Sequence, residues 1–357
     1  MRPAALLLQC RAGFERECAQ EVTAVAAGFG VSGFVRARPD SGYAVFQPHE
    51  EAALEGMRER LSFADLVFAR QVTWTAPLLS ELPEADRAGP IARAARALGK
   101  RFRSLWLEMP DTNEGKALAT LARPLAPHLA AALEREGVTT DAAGAPHRLQ
   151  VFFVGGRACH VGVGDPDNAA PWPMGIPRLR MPGSAPSRST LKLAEALLVF
   201  FDDRQREALF APGMTAVDLG ASPGGWTWQL VRRQMHVTAV DNGAIDAALL
   251  DTGQVKHRRE DAFGYRPPVK VDWMVCDMVE SPARVARLAA QWVAQGWSSG
   301  AIFNLKLPMK KRWEETLRCR ELLEAGLGDL PHRLRLRQLY HDREEVTACI
   351  VPRGPRR

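Results

Sequence analysis

Residues 216–227, AVDLGASPGGWT, carry the clearest structural signal of this chain. An apolar strand, predicted over 215–219, runs directly into a glycine-rich turn, and the apolar residues after the turn predict a helix. Glycines in such a turn tolerate positive φ angles and allow a ligand to approach the bare backbone. This pattern is typical of the first strand, loop and helix of a doubly wound α/β sheet, in which ligands bind at the carboxyl ends of the strands.

Further strands and helices alternate after this turn, which extends the α/β pattern over residues 188–357. The predicted helices are 190–201 and 314–325, and the predicted strands are 237–240, 273–276, 301–305, 333–339 and 346–350. The last two strands are joined by a short polar turn, so they can only pair antiparallel. A parallel Rossmann-like sheet that ends in an antiparallel hairpin is the class I methyltransferase arrangement, whereas dinucleotide dehydrogenases keep their last strands parallel.

The chain before residue 188 falls into two parts. Residues 1–165 predict a separate α/β domain, and residues 166–187, rich in proline and containing Arg178 and Arg180, predict an extended basic linker that also contacts RNA. In the first part the predicted strands are 4–9, 43–46, 67–74, 104–108, 149–154 and 159–163, and the predicted helices are 15–27, 50–60, 86–98 and 113–136. We expect the last helix to break or kink at Pro124.

Composition limits the classes of protein that this chain can be. Its 357 residues exceed what one core usually organises, and its net charge of +6 favours anionic partners such as nucleic acid. Its apolar runs are too short to cross a bilayer, so we expect no membrane association. The six cysteines are scattered without C-x-x-C spacing. We therefore expect no metal site and no disulfide framework, but reduced thiols in a cytoplasmic protein.

Acidic residues follow the glycine turn at successive strand ends. Asp241 ends the next strand about 20 residues on, where a carboxylate can bind ribose hydroxyls, and Asp261 and Asp277 follow in later strand-end loops. No P-loop lysine follows the glycines, and their spacing is not G-x-G-x-x-G. Together with Asp218 beside the turn, these acids suit a cationic ligand such as S-adenosylmethionine. A nicotinamide-dependent dehydrogenase is the alternative.

Lys306, at the end of an apolar strand, is the strongest candidate for a general base. Methyl transfer from a sulfonium to a hydroxyl requires alignment of three atoms and help with loss of the proton. Lys192, on the predicted helix 190–201, is a second cation, and Asp277 and Glu345 could orient both ammonium groups. Lysine serves as a base when its pKa falls to about 7–8. We expect repulsion from Lys192 to favour neutral Lys306, and Asp277 and Glu345 to raise the pKa of both lysines somewhat.

Lys192, Asp277, Lys306 and Glu345 resemble the K-D-K-E tetrad of ribose 2′-O-methyltransferases. Longer motifs resemble the bacterial RlmM type, the 23S ribosomal RNA cytidine 2′-O-ribose methyltransferases, over nearly the whole chain. These motifs are CRAGFERECAQEV, MGIPRLR, APSRSTLKL, DLGASPGGWTWQLV, VDNG, VCDMVE, IFNLKLPMKKR and RQLYHDREEVT. Ser222 departs slightly from the family pattern, because relatives carry cysteine there.

This resemblance implies a THUMP-type RNA-binding region at the N-terminus and a Rossmann-fold methyltransferase domain that acts on 23S ribosomal RNA with S-adenosylmethionine as cofactor. Lys306 is then the proton acceptor. The implied cofactor-binding residues are Ser189, Gly220, Ser222, Pro223, Gly224, Gly225, Asp241, Asp261 and Asp277. Glu344 competes with Glu345 for the last tetrad position, and strand alternation favours Glu345.

Other chemistries fit the sequence less well. Adenine amino methylation usually shows a [DN]-P-P-[FY] turn, whereas Asp277 is followed by Met-Val-Glu. Cytosine C5 methylation needs a nucleophilic cysteine, and Cys276 lies within a predicted buried strand. A non-catalytic RNA-binding or assembly protein with a vestigial cofactor pocket is a further alternative, which activity on RNA would exclude. The sequence assigns no oligomeric state.

Overall fold

The computed structural model describes residues 3–352. The chain divides into two compact units, one ending at Ile176 and the other beginning at Pro177. This division falls inside the proline-rich segment 166–187. Within the described residues, no helix combines the length and apolar character needed to cross a membrane.

The N-terminal unit is an α/β fold around one mixed sheet. Its elements are β1 (Ala5–Gln9), α1 (Glu15–Gly28), β2 (Gly33–Ala37), β3 (Tyr43–Pro48), α2 (Ala53–Arg60), β4 (Gln71–Thr75), α3 (Ala88–Leu98), β5 (Leu105–Glu108), α4 (Asn113–Arg135), β6 (Arg148–Gly155) and β7 (Ala158–Gly164). The strand order is β2-β3-β1-β4-β7-β6-β5. Only β5 and β6 pair in parallel among these described strands.

Two predictions in this unit are wrong for identifiable reasons. The strand predicted from residue 67 begins only at Gln71, because the N–H groups of Val67 and Phe68 donate to the Glu21 carboxylate on α1. The helix predicted to break or kink at Pro124 does not break there and continues to Arg135. Pro124 is exposed on its surface, where water can solvate the carbonyl that the proline leaves without a partner.

The C-terminal unit is the predicted doubly wound sheet. Its elements are α5 (Thr190–Phe200), α6 (Asp203–Leu209), β8 (Thr215–Leu219), α7 (Gly225–Val231), β9 (His236–Val240), α8 (Ala247–Leu250), β10 (Val255–Arg258), β11 (Val271–Cys276), α9 (Pro282–Ala294), β12 (Ser298–Lys306), α10 (Arg312–Leu327), β13 (His332–Arg337) and β14 (Glu345–Pro352). The strand order is β10-β9-β8-β11-β12-β14-β13. The first five strands are parallel, and β14 pairs antiparallel with both β12 and β13, which confirms the terminal hairpin.

Burial of apolar side chains holds this sheet in place. Strands β8, β11 and β12 are almost wholly buried, as expected for parallel strands covered on both faces. On one face, the rings of Phe210 and Trp273 stack with centroids 4.5 Å apart, and Phe201 meets both rings edge-on. The rigid core therefore fixes the positions at which these central strands end.

Candidate active site

Four charged side chains meet at the carboxyl edge of the sheet, although they are far apart in the sequence. Asp277 directly follows β11, and Lys306 is the last residue of β12. The antiparallel register of β12 and β14 sets Glu345 directly opposite Lys306. Lys192 reaches the same place from the first turn of α5.

The four side chains form a ring of alternating charge. The Lys306 Nζ atom lies 2.7 Å from Asp277 Oδ1 and 2.8 Å from Glu345 Oε1. The Lys192 Nζ atom lies 2.9 Å from Glu345 Oε1 and 3.3 Å from Asp277 Oδ2. All four side chains are between 9% and 21% exposed. Removal of one charge therefore leaves the others partly desolvated and short of a partner.

A buried hydrogen-bond chain positions Asp277, and the sequence analysis missed it. The Asn304 amide donates to Asp277 Oδ1 at 2.9 Å, and the Thr347 hydroxyl donates to Asn304 Oδ1 at 2.7 Å. Asp342 Oδ2 lies 2.9 Å from the same hydroxyl. Burial raises the pKa of Asp342 well above its usual value, which favours a neutral carboxyl that can donate to Thr347. Each donor in this hydrogen-bond chain therefore faces an acceptor on the next side chain.

The two adjacent glutamates have different surroundings. Glu345 contacts both lysines through Oε1, and its Oε2 accepts a hydrogen bond from the N–H of Arg343. Glu344 instead pairs with Arg312 at 2.6 Å, and its side chain is 55% exposed. The geometry therefore brings Glu345, and not Glu344, to the two lysines.

The pKa of Lys306 is raised, so the effect expected from Asp277 and Glu345 outweighs the repulsion expected from Lys192. Burial lowers the pKa of Lys306, but the charges and hydrogen bonds of Asp277 and Glu345 outweigh it. Burial likewise raises the pKa of Glu345, but the two lysines bring it down to about 2. Each carboxylate lies between the two ammonium groups, so attraction exceeds repulsion.

The glycine turn after β8 is shaped by contacts within the protein. Gly220 has φ 76°, and a Cβ atom there would lie 2.3 Å from the Met278 side chain. A Cβ atom at Gly225 would lie 2.1 Å from Ser189 Oγ, which itself lies 2.6 Å from Ser187 Oγ. Glycine is thus required at both positions by close packing of the turn against the loop after β11 and the start of α5.

Carboxylates surround this turn. Asp241 accepts hydrogen bonds from the N–H groups of Ser222 at 3.0 Å and Gly243 at 2.6 Å. Burial, with smaller contributions from the charges of Asp277 and Asp241, raises the pKa of Asp218 to about 7. Asp261 is exposed and accepts N–H groups of its own turn. Asp277 and Asp241 lie close enough to Asp218 for their charges to repel, so this turn fits a ligand with positive charge and hydroxyl groups, as S-adenosylmethionine has.

Cys276 does not have the properties of a nucleophile. Its side chain is fully buried at the end of β11, and burial raises its pKa to about 12. The reactive form of cysteine is the thiolate, which is scarce near neutral pH at such a value. The site therefore lacks a reactive thiol at Cys276 for cytosine C5 methylation.

Three family models match successive parts of the chain. The RlmM ferredoxin-like domain matches residues 4–73, and the N-terminal domain of ribosomal RNA large subunit methyltransferase M matches residues 86–165. An FtsJ-like methyltransferase model matches residues 185–307, which include the glycine turn, Asp277 and both tetrad lysines.

Relatives share the full length of this chain. Ribosomal RNA large subunit methyltransferase M of Methylococcus capsulatus is 53% identical over 98% of both chains. The protein of the same name from Thauera aminoaromatica is 48% identical over 98% of this chain and 96% of its own length. That from Xanthomonas oryzae pv. oryzae is 48% identical over 97% and 99%. The chain belongs to the ribosomal RNA large subunit methyltransferase M family.

Proposed function

We propose that this chain transfers the methyl group of S-adenosylmethionine to the ribose 2′-hydroxyl of a cytidine in 23S ribosomal RNA, in the cytoplasm. The observation that carries the proposal is the position of Lys306, whose Nζ lies within 2.8 Å of two carboxylates. This amine stands at the carboxyl edge of an FtsJ-like methyltransferase sheet. Because the family consists of methyltransferases, the dehydrogenase alternative is wrong. The choice of cytidine rests on family resemblance.

The cofactor would be held by Ser189, the turn at 222–225, Asp241, Asp261 and Asp277. When bound, S-adenosylmethionine supplies a methyl group on a positively charged sulfur. Lys306 then accepts the proton of the ribose hydroxyl, while Asp277 and Glu345 hold its amine in place. Lys192 balances the second negative charge and keeps both carboxylates oriented toward the lysines.

Lys306 must be neutral before it accepts a proton, and its raised pKa keeps it charged in the ligand-free protein. A cation held among the acids of the site acts in the required direction, since a nearby positive charge lowers the pKa of an ammonium group. Lys306 is thus charged in the ligand-free protein and must become neutral once the cofactor is bound.

The N-terminal unit supplies RNA affinity in this proposal. Among the described residues of this unit, from residue 3 to Ile176, no two lysines share two carboxylates as they do in the tetrad. The matched ferredoxin-like and N-terminal domains of this family occupy most of it. The THUMP-type assignment, the linker role of residues 166–187 and RNA contacts of Arg178 and Arg180 stay predictions.

The chemical nature of the product tests the proposed function. The purified protein is incubated with unmodified 23S ribosomal RNA and methyl-labelled S-adenosylmethionine, and the RNA is then hydrolysed in alkali. A 2′-O-methyl group blocks cleavage of the following phosphodiester, so we expect the label in a dinucleotide that begins with cytidine. Label in mononucleotides would indicate base methylation and contradict the proposal.

Loss of the Asp241 carboxylate should weaken cofactor binding. We expect Asp241→Ala to reduce the affinity for S-adenosylhomocysteine about tenfold, the scale of hydrogen bonds to a charged group. Asp246→Ala is the control, because Asp246 also holds a backbone N–H in the same loop, that of Ala248. Calorimetry in which both variants bind equally would remove Asp241 from the cofactor site.

Lys310 and Lys311 should contact RNA phosphates. Both are exposed, whereas the neighbouring Arg312 pairs with Glu344. Replacing both lysines with glutamine should reduce the slope of log affinity against log salt concentration by about 0.7–0.9 per contact. The charge-matched control is Lys256→Gln with Lys270→Gln, two exposed lysines elsewhere in this unit. Equal slopes for the two double variants would place Lys310 and Lys311 outside the interface.

A further inference from the structure

Val279 and Met309 are the most exposed large apolar side chains in the described part of the chain. They are 93% and 87% exposed, and the next, Val269, is 70% exposed. Single exposed apolar residues are common on protein surfaces. These two, however, lie just beyond the tetrad, Val279 two residues after Asp277 and Met309 three residues after Lys306.

The loops that present these side chains are anchored on both sides. After Val279, the Glu280 carboxylate accepts the N–H of Ser281 at 2.8 Å and pairs with Arg284 at 2.6 Å. Before it, Asp277 is held by both lysines of the tetrad. The exposure of Val279 is therefore a property of a fixed loop.

Met309 stands between two anchors of the same kind. The N–H of Leu307 donates to the Glu344 carbonyl at 2.8 Å, and the Leu307 side chain is buried. Arg312 pairs with the Glu344 carboxylate. Both ends of this short loop are thus tied to one residue of the neighbouring segment, and Met309 projects from between them.

Chain length keeps both side chains close to the tetrad. Two residues span at most about 7 Å and three at most about 11 Å. Since the Lys306 Nζ and Asp277 Oδ1 atoms are 2.7 Å apart, the two short loops that carry Val279 and Met309 both begin at the place where a ribose hydroxyl must reach Lys306. Lys310 and Lys311 follow Met309 directly and are exposed, so this surface combines apolar side chains with positive charge.

We propose that Val279 and Met309 contact unstacked bases of the RNA, at the target nucleotide or its neighbours, and hold the target ribose at Lys306. The inference rests on the proposed function. Lys306 is only 21% exposed, so a nucleotide within a stacked helix must be drawn out to reach it. Apolar side chains such as methionine act as wedges between base steps in other complexes, and the adjacent lysines suit the phosphates.

One strand offers a matched pair of variants. Val279 follows β11 and Val269 precedes it, so Val279→Ser and Val269→Ser make the same change at its opposite ends. Single-turnover methylation of 23S ribosomal RNA transcript is measured against RNA concentration. We expect Val279→Ser combined with Met309→Ser to raise the half-saturating RNA concentration at least about fivefold, from lost apolar burial. Val269→Ser should behave as wild type.

Cofactor affinity and thermal unfolding separate a contact with RNA from damage to the site. Both should match wild type in the double variant, because neither side chain packs against the protein. A double variant that saturates at the same RNA concentration as Val269→Ser would overturn the inference. Label in alkali-sensitive positions with wild-type protein would instead contradict the proposed function, so the two failures are distinguishable.

Discussion

Replacing Lys306 with arginine is expected to slow methyl transfer at least about 100-fold, the lower end of what general-base catalysis contributes. Arginine keeps the positive charge and can still pair with Asp277 and Glu345, so the ring of charge is preserved. Its guanidinium group cannot lose a proton at working pH, and so it cannot accept one from the ribose hydroxyl. The variant therefore removes proton acceptance and leaves the electrostatic role.

The measurement is single-turnover methyl transfer at saturating RNA, with Lys270→Arg as the control for the same change on an exposed lysine outside the proposed RNA contacts. Affinity for S-adenosylhomocysteine and the thermal unfolding temperature should match wild type in both variants. A Lys306→Arg enzyme that keeps more than about a tenth of the wild-type rate would contradict the assignment. Only positioning and desolvation would then be left to explain the rate.

The adjacent pair Glu344 and Glu345 gives the second prediction. Glu345→Gln should lower both stability and the methyl-transfer rate, the latter at least about tenfold, whereas Glu344→Gln should leave both nearly unchanged. Loss of one partner from a buried ion pair costs about 3–5 kcal/mol, and the partial exposure of this ring reduces that figure. The Glu344 pair with Arg312 lies at the surface, where such pairs contribute about 0–1 kcal/mol.

Chemical denaturation of the two variants against pH checks the electrostatic origin. The pKa of Glu345 is lowered from 4.5 to about 2, so its stabilising effect is complete above pH 4.5 and is lost as the pH falls toward 2. The stability difference between wild type and Glu345→Gln should shrink over that range. Equal destabilisation by Glu344→Gln and Glu345→Gln at neutral pH would mean that the Glu345 carboxylate stabilises the fold no more than the Glu344 carboxylate does.

The central strands of the C-terminal sheet could be predicted because they are apolar along almost their whole length. The two strands that the sequence analysis missed, β2 and β10, are edge strands with half-exposed patterns. Edge strands often carry charge that discourages further pairing, as Lys256 and Arg258 do on β10, and so they lack the apolar signal. The continuous helix through Pro124 depends on which side of α4 faces water, and that is a tertiary property.

The site was only partly accessible from the sequence. Motif resemblance named the four tetrad residues, and their meeting requires the strand order, the register of β12 and β14 and the position of α5. The hydrogen-bond chain from Asp342 through Thr347 to Asn304 depends on the register of β12 and β14, in which Asn304 faces Thr347. The direction of the Lys306 pKa shift depends on the distances between the two lysines and the two carboxylates of the tetrad. Sequence position carries neither kind of information.

The pH dependence of the single-turnover rate, compared between wild type and Lys306→Arg at saturating RNA and cofactor, tests most directly whether Lys306 accepts the proton. If Lys306 is the base, the wild-type rate rises with pH as its ammonium group loses a proton. The low rate of Lys306→Arg should then lack this rise. A Lys306→Arg profile that rises parallel to the wild-type profile would show that another group titrates, and would contradict the account.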